Sequence, residues 1–174
     1  MSSSHYLHRL PGPWKGRLAV VPRSRGGDWL EDDIAALRAA GIDVLVSTLT
    51  NAEVVELGLA REEELARAGA MEYVSFPIED RGIPSSAPAT AELAHRLARE
   101  LSGGRTVAMH CRSGIGRSSL LAAAVLAVAG IGPDDAFARI EQARGCTVPD
   151  TAEQQTWVST FAREVLGAAK RAAS

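Results

Sequence analysis

Residues 110–118 read His-Cys-Arg-Ser-Gly-Ile-Gly-Arg-Ser, and this stretch joins two segments of different periodicity. Before it, Val107, Met109 and Cys111 alternate as the apolar residues of a strand do. From Ser118 onward the composition is that of a helix. The stretch is therefore predicted to be a loop that leads from a strand into a helix.

A loop of this kind can hold an anion. The first amides of the helix have no partner within the helix, and the helix dipole adds partial positive charge there. Backbone N–H groups can converge on one anion, and we expect Gly114 and Gly116 to adopt the unusual dihedral angles that this requires. The predicted anion-binding residues are those of the loop itself: Arg112, Ser113, Gly114, Ile115, Gly116 and Arg117.

Cys111 and Arg117 stand at the two ends of the loop. A helix N-terminus and a nearby guanidinium both favour the thiolate of a cysteine, so we expect Cys111 to be a nucleophile. Arg117 has a planar fork of donors that can hold two phosphoryl oxygens, and more firmly as charge spreads in a transition state. The pair indicates attack on phosphorus.

Spacing argues against the nucleotide-binding loops. A Walker-type loop ending at Gly116 would need glycine at position 111 and lysine at position 117. A dinucleotide fingerprint would need a third small residue at position 119, where Ser119 is a weak match, and no acidic partner is well placed. A rhodanese-type sulfurtransferase fits poorly, because resemblance to that family implies one residue fewer between cysteine and arginine.

The stretch 110–118 resembles the signature of the protein tyrosine phosphatase superfamily, His-Cys-x5-Arg-Ser/Thr, and indicates a small cysteine phosphatase of the dual-specificity type. Residues 76–84, Phe-Pro-Ile-Glu-Asp-Arg-Gly-Ile-Pro, look like the general-acid loop of that family. Residues 148–158 are similar to the helix start that follows the signature in kinase-associated and related atypical phosphatases. The resemblance covers roughly residues 44–161.

This resemblance implies a role for each of five residues. Cys111 forms a cysteinyl-phosphate, and Asp80, in an Asp-x3-Pro context, serves as general acid and then as base. The hydroxyl of Ser118 stabilises the departing thiolate, although a serine here can also simply cap the helix. His110 stiffens the loop by hydrogen bonding. Gln154 helps to orient the hydrolytic water; a solvated carboxylate and a solvated glutamine are the alternatives for Asp80 and Gln154.

The alternation of strands and helices predicts one α/β domain with a central, mainly parallel sheet of about four to five strands flanked by helices, like that of dual-specificity phosphatases. Strands are expected at 18–21, 44–46, 73–76 and 107–111. Helices are expected from a capping box of Asp28 and Glu31 as far as Gly41, around 93–101, and over 118–129, 133–143 and 150 to about 168. The whole chain, 1–174, is expected to form the catalytic domain, with a core at about 16–168 and frayed tails at 1–4 and 170–174.

The composition limits the size of the core, the kinds of ligand and the cellular compartment that we expect for this domain. With 174 residues and 46% hydrophobic residues the chain can bury one sizeable core, and a net charge of -2 predicts no general affinity for nucleic acid. The two cysteines argue against a disulfide framework, although a protective disulfide between Cys146 and Cys111 is an alternative to simple packing of Cys146. The longest apolar run, 120–131, is too short to span a membrane. We therefore expect a cytoplasmic protein.

The expected substrate is a phosphorylated protein or peptide, with phosphotyrosine and also phosphoserine or phosphothreonine as the group hydrolysed. Inositol-lipid phosphatases of the superfamily often have a second basic residue where this chain has Ile115. We expect phosphate, vanadate or sulfate to bind in the loop, no metal, no other cofactor, and a monomer. The alternatives are a phosphatase of phosphoinositides or other non-protein phosphomonoesters, a rhodanese-type sulfurtransferase or arsenate reductase, and a non-catalytic phosphate-binding module.

Overall fold

The computed structural model describes residues 7–174 and contains one five-stranded sheet. Its strands are β1 (His8–Leu10), β2 (Arg17–Val20), β3 (Val44–Ser47), β4 (Glu72–Ser75) and β5 (Thr106–His110). They lie in the order β1-β2-β5-β3-β4, and all are parallel to their neighbours except β1, which pairs with β2 in antiparallel fashion. The predicted α/β class and mainly parallel sheet are confirmed. The edge strand β1 was not predicted from the sequence, because three residues are too few to show a period.

Within residues 7–174, seven α-helices connect and cover these strands. They are α1 (Leu30–Ala39), α2 (Asn51–Glu56), α3 (Glu62–Ala68), α4 (Ala87–Ser102), α5 (Arg117–Val128), α6 (Pro133–Arg144) and α7 (Ala152–Ala172). The predicted helices are present, and the structure also contains two short helices, α2 and α3, that were not predicted. Residues 170–172, predicted to belong to a frayed tail, continue α7. The other predicted tail, 1–4, lies outside the described residues.

The sheet separates two apolar layers. On one face, Leu18, Val46 and Met109 pack with residues of α4, α5, α6 and α7. On the other face, Leu45 and Ala108 pack with residues of α1 and α3. Helix α5 is buried on all sides as far as Ala127, since it lies between the sheet and the other helices. This position explains why it is also the longest apolar run of the sequence.

The predicted capping box of Asp28 and Glu31 is wrong. Gly27–Trp29 form a turn of 3-10 helix that leads directly into α1, so Trp29 is the N-cap residue and no side chain caps the helix. Because Asp28 lies inside this turn, it does not precede the first free amides as a cap must. Capping boxes are instead formed at the start of α2 and of α7.

Candidate active site

The loop between β5 and α5 folds around the sulfur of Cys111. The side chain of Cys111 is buried, and its Sγ lies 3.2 Å from the backbone nitrogen of Gly114, which donates to it. The hydroxyl oxygen of Ser118 lies 3.3 Å from the same sulfur. Gly114 has a φ of 72°, in the left-handed region that favours glycine, and this conformation turns the loop back over the cysteine. The sulfur thus accepts from one loop amide and lies within hydrogen-bond distance of one hydroxyl.

The two glycines of the loop are needed for different reasons. The expectation of an unusual dihedral angle holds for Gly114 but is wrong for Gly116, whose φ is -88°. Gly116 instead lies against the segment before α7: a Cβ at this position would come within 2.1 Å of Oδ2 of Asp150. Gly116 therefore allows a close approach between the loop and the chain that leads into α7.

Arg117 is the first residue of α5, and its side chain is only 1% exposed. Its guanidinium donates to both carboxylate oxygens of Glu53, at 2.7 and 2.9 Å, and to the carbonyl oxygen of Ile78 at 2.9 Å. Oδ1 of Asp80 lies 3.2 Å from Nη2 of Arg117. Arg117 thus joins the predicted nucleophile loop to the predicted acid.

Glu53 is the main charge partner of Arg117, and it was not predicted from the sequence. Hydrogen bonding from Arg117 lowers the pKa of Glu53 to about 2, although burial acts in the opposite direction. Burial tends to lower the pKa of Arg117, but the hydrogen bond to Glu53 and the surrounding negative charges together outweigh it, and the pKa is raised. The pair is a buried, bidentate ion pair, the geometry in which arginine binds carboxylates most strongly.

Glu53 is held in place by the start of α2. Its carboxylate accepts from the backbone nitrogen of Thr50 at 3.0 Å, while the hydroxyl of Thr50 accepts from the backbone nitrogen of Glu53 at 3.3 Å. The sequence Thr50-Asn-Ala-Glu53 has the spacing of this capping box. That spacing was the one available signal, and it predicts the start of a helix without indicating that the carboxylate reaches Arg117.

Asp80 lies on the loop between β4 and α4, with its side chain 59% exposed. The loop is attached to the sheet where the backbone nitrogen of Ile78 donates to the carbonyl oxygen of Thr48 at 3.0 Å. Thr48 in turn donates from its hydroxyl to the carbonyl oxygen of His110 at 2.9 Å. The loop that carries Asp80 and the loop that carries Cys111 are therefore fixed to the same strand ends, and the exposed Asp80 side chain faces Arg117.

Gln154 is buried at the start of α7, and both ends of its amide have partners. Its Oε1 accepts from the backbone nitrogens of Asp150 and Thr151, at 3.0 and 3.3 Å. Its Nε2 donates to the carbonyl oxygen of Gly82 at 2.9 Å. Gln154 thus caps α7 and ties this helix to the loop that carries Asp80.

His110 lies behind the loop, in a buried group of three polar side chains. Its Nε2 is 3.2 Å from a carboxylate oxygen of Glu62, and its Nδ1 is 3.4 Å from the carbonyl oxygen of Cys111. The hydroxyl of Tyr73 donates to the same oxygen of Glu62 at 3.1 Å. Burial, with the nearby charge of Glu62, raises the pKa of Tyr73. These contacts hold the His110 ring in a buried polar group at the start of the loop.

The remaining loop residues are exposed side chains, or residues whose backbone carbonyls are held by a neighbouring helix. Arg112 is exposed and donates to Glu56 at 2.9 Å, a contact that raises the pKa of Arg112. The backbone carbonyls of Ser113 and Gly114 accept from the guanidinium of Arg144, at 3.1 and 2.9 Å. Arg144 ends α6 and was missed by the sequence analysis, since a basic residue in the last turn of a helix is common for other reasons. The side chain of Ile115 is half-buried.

Residues 21–131 match a family model described as "Polymorphic toxin system, DSP-PTPase phosphatase". The chain belongs to this dual-specificity phosphatase family. As a member, it is a cysteine-dependent phosphatase, and Cys111 is the candidate for its active-site cysteine. No curated protein matches the sequence.

Several solved phosphatase structures have the same fold as this chain. Kinase-associated phosphatase, with its catalytic cysteine replaced by serine, is 21% identical, with 94% of this chain and 96% of that chain covered and a TM-score of 0.82. The active form of Tk-PTP is 22% identical, with 87% and 92% covered and a TM-score of 0.69. PTPMT1 in complex with PI(5)P is 16% identical, with 86% and 94% covered and a TM-score of 0.70. Because the sequence identities are this low, the structural similarity shows that the fold is shared and shows no more than that.

Residues 7–174 of this phosphatase contain neither a candidate metal site nor a membrane-spanning helix. Within that range no group of three or more His, Cys, Asp and Glu side chains could hold a metal ion. Over the same range, no helix combines the length and the apolar character needed to cross a membrane.

Proposed function

We propose that this phosphatase hydrolyses phosphotyrosine, and also phosphoserine and phosphothreonine, in protein or peptide substrates through a cysteinyl-phosphate intermediate. The observation that carries the proposal is the grouping of Cys111, Arg117 and Asp80 around one loop. The backbone donor of Gly114 faces the sulfur at 3.2 Å, and Arg117 contacts Asp80 at 3.2 Å. Cys111 and Arg117 stand at the two ends of one loop and Arg117 reaches Asp80, which supports joint action of the three groups on one ester.

In the first step the thiolate of Cys111 attacks phosphorus in line, so that an S–P bond forms as the P–O bond to the leaving group breaks. Loop amides and Arg117 bind the phosphoryl oxygens. Asp80 gives its proton to the departing oxygen, which leaves as an alcohol or phenol. Because Glu53 holds Arg117 from its buried side, the oxygens of an incoming phosphate compete with Asp80, the exposed partner, for this guanidinium.

In the second step water attacks phosphorus, the S–P bond breaks and inorganic phosphate is released. Asp80, now a carboxylate, accepts the proton of the attacking water. The hydroxyl of Ser118, 3.3 Å from the sulfur, donates to the thiolate as it leaves. Orientation of the water by Gln154 remains our proposal, but its contact with Gly82 supports a further role, which is to hold the acid loop in place.

The charges around the loop favour a substrate with a single phosphate. Arg112 and Arg117 face three carboxyl groups, because Glu53 contacts both arginines, Glu56 contacts Arg112 and Asp80 contacts Arg117. A phosphoinositide headgroup with several phosphates would need more positive charge than these two arginines leave free. A phosphorylated amino acid needs only the loop amides and Arg117.

The test is hydrolysis of para-nitrophenyl phosphate, phosphopeptides and phosphoinositides by the wild type and three variants. We expect vanadate-sensitive turnover that Cys111→Ser and Arg117→Ala abolish. Asp80→Asn should slow hydrolysis of a poor leaving group by about a hundredfold or more, and slow a good leaving group less. Wild-type protein without vanadate-sensitive turnover would refute the proposed chemistry, and faster turnover of phosphoinositides than of phosphotyrosine peptides would refute the substrate class.

A further inference from the structure

Two surface segments border the phosphate loop and contact each other. The first follows β2: the carbonyl oxygen of Val21 lies 3.3 Å from the Cβ position of Gly114. The second is α2, which contacts the loop through the ion pair of Glu56 with Arg112. The segments meet where the backbone nitrogen of Gly27 donates to the carbonyl oxygen of Gly58 at 3.2 Å. They therefore form a continuous border along one side of the candidate active site.

This border carries both of the large apolar side chains that stand out as exposed among residues 7–174. Trp29 is 57% exposed and Val55 is 73% exposed. Trp29 lies two residues after Gly27, and Val55 lies three residues before Gly58, so both are close to the point where the segments meet. Neither side chain is part of the apolar core, and their exposure is not explained by packing.

The indole of Trp29 is held in position before anything binds to it. The guanidinium carbon of Arg25 lies 4.6 Å from the ring centroid, and Arg25 is itself paired with Asp33 at 2.6 Å. A tryptophan fixed in this way loses little conformational freedom on contact, which is typical of residues that contribute strongly to binding. We refer to Arg25, Trp29 and Val55 as the docking rim.

We infer that the docking rim binds apolar side chains that flank the phosphorylated residue of a peptide substrate. This inference rests on the proposed function, because a phosphate held by the loop places the neighbouring residues of its own chain over the border of the site. An extended peptide advances about 3.3 Å per residue, so side chains within a few positions of the phosphotyrosine can reach this border. The rim recognises a peptide through apolar contact and not through charge, because the two arginines nearby are already paired: Arg25 with Asp33, and Arg112 with Glu56.

The charge of the surroundings favours a peptide over a membrane surface. Anionic lipids attract clusters of lysine and arginine, whereas Glu53, Glu56 and Asp80 lie on this side of the loop and pair with its arginines. Exposed aromatic and aliphatic side chains on the same border are instead suited to a leucine or phenylalanine side chain.

The test uses two phosphotyrosine peptides that differ only in flanking residues, leucine and phenylalanine in one and serine in the other. We expect wild-type protein to have the higher kcat/KM with the apolar peptide. Trp29→Ala should lower that preference by about tenfold, the effect of truncating a tryptophan that contributes strongly to an interface, and Val55→Ser should lower it less. Leu166→Ala is the matched control: this residue lines a shallow apolar groove between α4, α5 and α7, at the other end of α5 from the phosphate loop. It should leave the preference unchanged.

Para-nitrophenyl phosphate, assayed in parallel, is too small to reach the rim and reports only the chemistry of the loop. Absence of its turnover in wild-type protein would overturn the proposed function and this inference with it. Normal turnover of this ester together with equal use of the two peptides, or a preference that survives in Trp29→Ala, would overturn the docking rim alone. If Trp29→Ala slowed hydrolysis of phosphoinositides in vesicles and not of the apolar peptide, the assignment to a peptide would be wrong.

Discussion

Replacing Glu53 by glutamine removes the carboxylate that holds Arg117, and we expect this change to lower the free energy of unfolding by about 2 to 3 kcal/mol at neutral pH. The pKa of Glu53 falls from 4.5 to about 2, chiefly through hydrogen bonding from Arg117. One pKa unit corresponds to about 1.4 kcal/mol, so ionised Glu53 contributes about 3.5 kcal/mol. The expected loss is somewhat smaller, because Asp80 remains near Arg117 as a second carboxyl partner.

The effect of Glu53→Gln should depend on pH in a defined direction. Because the pKa of Glu53 is lower in the folded than in the unfolded chain, its contribution is complete above about pH 4.5. It is lost as the pH falls toward about 2, where the folded state also becomes protonated. The stability difference between wild type and Glu53→Gln should therefore be largest near neutral pH and should shrink in acid.

Urea unfolding at pH 7 and at pH 3, followed by circular dichroism, measures this difference. Glu56→Gln is the matched control, because Glu56 is on the same helix and pairs with Arg112, but its side chain is 63% exposed. Exposed ion pairs contribute little, so this variant should unfold close to wild type at both pH values. If Glu53→Gln were as stable as Glu56→Gln at pH 7, or if its loss of stability were the same at pH 3, the assignment of Glu53 as the buried partner of Arg117 would be wrong.

Three further changes test the loop. Gly116→Ala should lower hydrolysis of para-nitrophenyl phosphate, because its Cβ would lie 2.1 Å from a carboxylate oxygen of Asp150 and would displace that side chain, whereas Gly132→Ala, with open space around it, should be fully active. Ser118→Ala should lower kcat by about tenfold and give a burst of nitrophenol, while Ser119→Ala, whose hydroxyl makes no hydrogen bond within residues 7–174, should do neither. Arg144→Ala should lower kcat/KM by about tenfold and speed hydrogen exchange at the loop amides, and unchanged exchange would show that the two carbonyl contacts do not hold the loop.

The part of the fold that could be predicted from the sequence is the part set by local patterns. The change from a two-residue to a helical period on either side of Cys111 predicts β5, the loop and α5. The five residues between Cys111 and Arg117 predict the chemistry, since both groups lie on one continuous loop. Asp80 was predicted because residues 76–84 resemble the acid loop of a known family. Each of these signals lies within about ten consecutive residues.

The rest of the site depends on contacts between residues that are far apart in the chain. Glu53 is 64 positions from Arg117, and Glu62 is 48 positions from His110. Gln154 reaches a carbonyl oxygen 72 positions away, at Gly82. A single sequence shows that such side chains exist, but only the packing of α2, α3 and α7 around the sheet determines which of them meet. Strand β1 was missed for a different reason, since its three residues pair at the sheet edge without a pattern of their own.

The central claim is that Cys111 carries the phosphoryl group during turnover. Mass spectrometry of protein quenched in acid during hydrolysis of para-nitrophenyl phosphate tests it directly, with Ser118→Ala used to slow breakdown of the intermediate. We predict the added mass of one phosphoryl group on the peptide that contains Cys111, with no such addition in Cys111→Ser or on the peptide that contains Cys146. Steady hydrolysis of this ester without any phosphorylated Cys111 peptide, or undiminished hydrolysis by Cys111→Ser, would contradict the mechanism.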